Sequence, residues 1–218
     1  MQAEPQPICP SATVKYPNGA PCARSLPFCS FPCFPKVSPM PPTCLAFVGI
    51  TLDGFISRPD GSIDYLAAAN KAVPEGEDCG YKDFMKDIDA LILGRKTFEQ
   101  VLGFDKWSYG DLPVIVISST LDALPSNTPT SAELCRDGDT AIELAEMRGY
   151  ERVYVDGGET VRGFVRAKLL DQVTLTTVPL LLGSGRPLFG GTPEVWLELL
   201  DSHSYPFGFV QSTYRLKY

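Results

Sequence analysis

Short apolar runs, each bounded by polar or glycine-containing stretches, recur along most of the chain. Residues 44–51, 90–94, 112–118, 152–156 and 172–178 are strand-sized and rich in Val, Ile and Leu, as strands buried on both faces are. Between them, residues 80–86, 96–102, 140–147 and 160–167 space their apolar positions at helical intervals. This alternation predicts an α/β fold in which parallel strands are joined by crossover helices. The end of the chain differs. Residues 195–204 and 209–217 flank Tyr205-Pro206-Phe207-Gly208, which predicts a C-terminal antiparallel hairpin. The expected whole is a mixed, mostly parallel sheet flanked by helices, with residues 44–218 as one domain.

Residues 1–43 break the pattern. They hold more than half of the chain's 20 prolines, and proline at that density removes both helix and ladder hydrogen bonds. A disordered or extended leader is expected there. Glu4 is its only acid, against Lys15, Arg24 and Lys36. That balance suits an organelle transit segment, whereas the scarcity of arginine suits a plain tail; both readings stay open.

Composition narrows the function. A net charge of −7 argues against a nucleic-acid partner, because a phosphate backbone calls for a basic surface. No apolar run approaches the ~20 residues that span a bilayer, so no membrane role is expected. Seven cysteines without a regular framework point to a reducing compartment, the cytoplasm, or an organelle if the leader is a transit segment. The four leader cysteines have no paired C-x-x-C spacing, and no metal site is expected. His203 is the sole histidine, which leaves no Ser-His-Asp triad, and neither G-x-S-x-G nor G-x-x-x-x-G-K-[ST] occurs.

Two glycine-bearing turns carry the candidate chemistry. Gly94-Arg95-Lys96-Thr97 and Gly157-Gly158-Glu159-Thr160 each follow an apolar run and open a helix pattern. A strand that turns at glycine into a helix leaves free backbone N–H groups at the positive end of the helix dipole, which favour an anion. Arg95 can grip a phosphate bidentately, Lys96 adds charge, and Thr97 can bond phosphate or cap the helix. Glu159 is read as an acid of the first helical turn. Two such turns in one domain point to a dinucleotide, and so to redox chemistry. Ser118-Ser119-Thr120 ends another strand, where open α/β sheets bind ligands and where hydroxyls also make turns. Asp53, Asp60 and Asp64 lie near the mouth of the first strand's loop, and each suits a turn as well as a site. Arg186, in the glycine-rich 180–189 loop, is available to an anionic substrate.

Four ordered segments extend this reading. Gly49-Ile50-Thr51-Leu52-Asp53-Gly54, Leu93-Gly94-Arg95-Lys96-Thr97-Phe98-Glu99, Val155-Asp156-Gly157-Gly158 and Pro179 to Phe189 together resemble the dihydrofolate reductase-like superfamily. Within it, the set is most similar to the reductase domain group of the bifunctional riboflavin-biosynthesis deaminase-reductase. The resemblance covers residues 44–218 and implies an NADPH-binding domain with a sheet of about eight strands. It implies that Gly49 and Ile56 flank the nicotinamide, and that Gly94, Arg95, Lys96 and Thr97 hold the pyrophosphate and the adenosine-side phosphate. Ser118 and Ser119 would meet the ribose 2′-phosphate. Gly157, Gly158, Glu159 and Thr160 match a segment whose Gly-Gly peptide is cis in relatives and touches pyrophosphate.

The substrate side departs from the family pattern. Glu77, Asp78 and Asp83 compete for the place of the helix carboxylate that orients pterin in folate reductases. Phe55 stands where the riboflavin enzyme often has lysine, and no deaminase zinc motif precedes residue 44. The expected function is an NADPH-dependent reductase of a small heterocyclic molecule, most similar to 5-amino-6-(5-phosphoribosylamino)uracil reductase. Asp53 or Asp64 would orient the substrate as the catalytic acid, with Asp78 and Arg186 binding it. A dihydrofolate reductase and a non-catalytic NADPH-binding module are the alternatives. Relatives often dimerise, so a homodimer is an expectation.

Overall fold

The computed structural model describes residues 41–218 apart from Asp105 and Thr130. The leader expected over residues 1–43 lies outside the described residues but for its last three positions. One eight-stranded sheet organises the chain. Its strands are β1 (Thr43–Thr51), β3 (Ala90–Gly94), β4 (Val114–Ile117), β5 (Ala132–Cys135), β6 (Arg152–Asp156), β7 (Gln172–Val178), β9 (Trp196–Ser204) and β10 (Val210–Lys217). They lie in the order β5-β4-β3-β6-β1-β7-β10-β9. The first six in that order are parallel, whereas β10 runs antiparallel to β7 and to β9. A separate antiparallel ribbon pairs β2 (Phe55–Ser57) with β8 (Arg186–Pro187). This is the expected dihydrofolate reductase-like architecture with its terminal hairpin.

Period-2 alternation along the central strands sorts side chains into two cores. Leu91 and Leu93 of β3, with Leu45 and Tyr154, face Phe98 and Val101 of helix α3 (Arg95–Leu102). Aromatic residues of α2 (Tyr81–Lys86) cover the same face. Ala90 and Ile92, with Val153 and Val155, pack instead on α4 (Gly138–Arg148) and α5 (Gly158–Ala167) through Ala141, Ala145, Val161 and Phe164. Ala90, Leu91, Ile92 and Leu93 are all 0% exposed, and each large side chain so buried contributes about 1.5–3 kcal/mol. A third cluster seats Tyr65 of α1 (Asp64–Ala69) against Val178 and Phe209.

Local chemistry explains where the element boundaries moved. The run 112–118 shrinks to β4 because Ser118 Oγ accepts from the backbone N–H groups of Thr120 and Leu121 and turns the chain. α4 starts two residues early because Asp137 and Thr140 form a capping box. β5, whose Ala-Glu-Leu-Cys sequence has no β-branched residue, is held by pairing with β4 and gave no pattern to read.

The site is positioned by the direction of two crossovers. From β3 the chain passes through α3 to β4, towards one edge; from β6 it passes through α5 to β7, towards the other. Right-handed crossovers in opposite directions place α3 and α5 on opposite faces, and β3 and β6 become neighbours at the switch point. There the two turns interlock. A β-carbon placed on Gly94 would lie 2.5 Å from Thr160 Oγ1, and one on Gly157 would collide with Thr97 Oγ1. Gly157 also has φ +97°, a left-handed conformation that side chains disfavour. No peptide bond among the described residues is cis, which corrects the cis Gly-Gly peptide implied by resemblance. Gly157 turns the chain through its own φ and ψ instead. Gly157→Ala is therefore expected to lose about 1–3 kcal/mol of unfolding free energy, read by urea denaturation. An unchanged midpoint would refute the close approach.

Candidate active site

A cleft of about 820 Å³ opens at the carboxyl ends of β1, β3, β4 and β6. Gly49 and Ile56 lie on its wall, as do Gly94, Arg95, Lys96 and Thr97. Ser118, Ser119 and the run Gly157, Gly158, Glu159 and Thr160 line it too. Two helix N-termini thus converge on one space beside two cations, a donor set that suits a phosphorylated ligand. The individual side chains do different things there. Arg95 pairs loosely with Glu99 at 3.6 Å, which leaves its guanidinium half-exposed. The Glu159 carboxylate is taken by Arg162. The Ser118 hydroxyl, 5% exposed as a residue, already serves its turn, so the accessible hydroxyls at this end are those of Ser119 and Thr120. Arg136, which sequence reasoning missed, lines the same end and donates to the carbonyls of Ser118 and Leu121 at 3.3 and 2.6 Å.

The three acids expected to act on substrate do not line this cleft. Asp53 accepts from Thr51 Oγ1 at 2.6 Å and from the N–H groups of Leu182 and Gly183 at 3.1 and 2.8 Å. It ties two loops together, and the Thr51 hydroxyl leads these bonds in holding its carboxyl below the usual range. Asp64 pairs with Arg58 at 2.6 Å in solvent, and that bond lowers its pKa. Asp78 accepts from the N–H groups of Gly80 and Lys82 at the start of α2, at 3.0 and 3.3 Å. Each carboxylate is committed to nearby backbone or a neighbouring cation, which is how short acidic side chains satisfy irregular chain. Arg186 does line the cleft, with its Nε donating to Pro59 O at 3.1 Å and no carboxylate partner among the described residues.

Of the acids that do line the cleft, Asp137, Asp139, Asp156 and Glu159, Asp156 is the last residue of β6. It is half-buried; Oδ2 accepts from the Tyr109 hydroxyl at 2.8 Å and Oδ1 from Gly157 N–H at 2.7 Å. Burial pushes its pKa above the ordinary carboxylate range against the pull of these bonds. Burial and the neighbouring acid push the Tyr109 phenol up as well, which keeps it a donor. Around Asp156 the cleft wall is apolar, with Phe47, Ile63, Leu66, Val101 and Phe104. The signal for Asp156 was present in the sequence: an acid ending an otherwise apolar strand, directly before two glycines. The cleft therefore combines two helix N-termini and their cations with apolar side chains and, at the α5 turn, an acid whose pKa is raised.

This acid makes stability depend on pH. The folded state keeps a proton that the unfolded chain releases, so stability falls as pH rises from the ordinary aspartate pKa through the raised folded value. Asp156→Asn is expected to flatten that fall in melting temperature as pH rises above the ordinary aspartate range. An identical slope in the variant would mean that Asp156 ionises normally.

Comparison with known proteins follows this geometry. The sequence profile of the RibD C-terminal domain matches residues 42–210. The uncharacterised Bacillus subtilis (strain 168) protein YwjB is 34% identical over 145 residues, covering 66% of this chain and 80% of its own length. A crystal structure of a Shewanella sp. PV-4 protein assigned to riboflavin biosynthesis superposes with a TM-score of 0.74 at 31% identity, over 81% of this chain and 99% of that one. A Thermotoga maritima diaminohydroxyphosphoribosylaminopyrimidine deaminase/5-amino-6-(5-phosphoribosylamino)uracil reductase shares the fold, with a TM-score of 0.61 at 14% identity. The match covers 81% of this chain and 57% of that longer one.

Proposed function

The chain belongs to the RibD C-terminal domain family, of dihydrofolate reductase-like fold, and from that premise we propose that it is an NADPH-dependent reductase of a small heterocyclic substrate. The observation that carries the reading is the union, in one cleft, of two glycine-ended helix N-termini with Asp156, whose carboxyl desolvation pushes above the ordinary range. The N–H groups that open α3 and α5, with Arg95 and Lys96, hold the pyrophosphate. Gly49 and Ile56 wall the nicotinamide, and Ser119 with Arg136 faces the adenosine end, where the ribose 2′-phosphate sits. When bound, the cofactor supplies a hydride to an electrophilic carbon of a C=N or C=O group.

The chain's own contribution is positioning and proton supply. Phe47, Leu66 and Phe104 exclude water from one side of the substrate ring. Asp156 gives its proton to the heteroatom of the reduced bond and is re-protonated from solvent, with Tyr109 fixing the carboxyl between transfers. The Arg186 guanidinium receives an anionic group. These features, with the family, support a 5-amino-6-(5-phosphoribosylamino)uracil-type substrate, whose phosphate would meet Arg186. The apolar wall around Asp156 also suits a pterin, which makes a dihydrofolate reductase the second reading.

The decisive experiment follows NADPH oxidation at 340 nm with the aminouracil and with dihydrofolate. Turnover of the aminouracil, an about tenfold or greater loss of NADPH affinity in Arg95→Ala, and a 10²–10⁴-fold lower kcat in Asp156→Asn are expected. Turnover of dihydrofolate alone would favour the second reading. Binding without turnover of either would leave a nucleotide-binding module, and no binding would overturn the reading.

We also propose that β9 is the face taken by a second copy. All nine of its residues are exposed, Trp196, Leu197, Leu199 and Leu200 among them, and its outer ladder pairs with no strand among the described residues. Two such edges can pair about a twofold axis. Light scattering is expected to give twice the 23.8 kDa chain mass, with Leu199→Lys reverting to a monomer. A monomeric parent protein would refute this.

A further inference from the structure

Arg162 stands out in α5 as a charged residue only 7% exposed. Taking a guanidinium out of water is unfavourable unless its donors are all used, and here they are aimed at one target. Nη1 donates to the carbonyl oxygens of Pro187 and of Leu188, the latter at 3.3 Å, while Nη2 binds Glu159. Pro187 belongs to β8 and pairs with Phe55 of β2. The ribbon formed by these strands is tied down elsewhere too. Tyr65 OH donates to Ile56 O at 2.9 Å, and Leu188 N–H donates to Gly54 O at 3.0 Å. The ribbon carries three residues of the cleft wall, Ile56, Ser57 and Arg186. Ile56 rests directly on the second glycine of the α5 turn, with Cγ2 3.1 Å from where a β-carbon of Gly158 would be.

We propose that Arg162 is a positioning residue that locks the β2–β8 ribbon over the nicotinamide end of the cleft. This rests on the cofactor reading above. Through the carbonyls of Pro187 in β8 and of Leu188 just after it, the planar fork sets the height of Ile56 above Gly158 and the reach of Arg186. A lysine in its place can satisfy one carbonyl but not the whole set. The hydrogen bonds of Arg162 go to Pro187, Leu188 and, on its own helix, Glu159, and none goes to Arg95, Lys96, Ser119 or Arg136.

The intact protein, Arg162→Lys and Arg162→Gln are titrated with NADPH and with 2′,5′-ADP, which lacks the nicotinamide half. Hydrogen exchange is followed on the ligand-free proteins. Arg162→Gln is expected to weaken NADPH about tenfold or more while leaving 2′,5′-ADP unchanged, with Arg162→Lys between the two. Without ligand, the Leu188 amide is expected to exchange faster in both variants while the β3 and β6 amides keep their protection. An equal loss for both ligands, or a Leu188 amide as protected as in the parent, would overturn the assignment. If the parent binds neither ligand, the cofactor reading falls, and the exchange data alone decide whether Arg162 holds the ribbon. Arg162→Lys keeps the charge and secures the comparison should Arg162→Gln fail to fold.

Discussion

The structure depends on the approach of two strand ends. Gly94 and Gly157 have no side chains, and the Thr160 and Thr97 hydroxyls occupy the space where those side chains would be. Each turn is completed by a residue of the other. The threonine three positions into one helix rests on the glycine that ends the opposite strand. This reciprocal contact brings the starts of α3 and α5 together from opposite faces of the sheet, and with them two sets of unpaired N–H groups. A single helix start would be a weak anion site; two, focused on one space between apolar walls, make a strong one.

The rest of the fold keeps that contact in place. β3 and β6 are buried by helices on both faces, so neither can shift register without exposing a whole row of side chains. The α5 turn is held from above as well, by the ribbon that Arg162 and Tyr65 tie down. Rigid strands and a pinned ribbon thus surround a cleft whose cationic wall comes from helix starts and whose apolar wall comes from α1, α3 and β1. Preorganisation of this kind places the polar groups before any ligand arrives.

Much of this was legible in the sequence, and the reasons are local. Residues 90–94 are an apolar run, 152–156 centre on Val-Tyr-Val and 172–178 are rich in β-branched residues, and their strands fell at those bounds. The glycine turns were legible because glycine at a strand end before a helix pattern has few other uses. What failed was the assignment of acids. Asp53, Asp64 and Asp78 stood in loops near the mouth, but loop backbone has unmet N–H groups that claim a short carboxylate first. Asp156 lay inside a run read as strand, where the inward direction of its side chain follows only from pairing with both neighbours. Nothing in the sequence distinguishes Arg162 from the other cations of the helix patterns. Its burial comes from the ribbon, and the ribbon's strands, three and two residues long, are too short to leave a periodic signal.

The place of Asp156 has a further consequence. Its Oδ1 accepts from Gly157 N–H at the very turn where α5 presents its positive end. An ionised Asp156 and a bound anion draw on the same local potential, so each weakens the other. Thermodynamic reciprocity then requires that an anion entering this turn raise the proton affinity of the carboxyl, and that a protonated carboxyl raise the affinity for the anion. The turn thus couples an anion to a proton: loading it with one draws in the other.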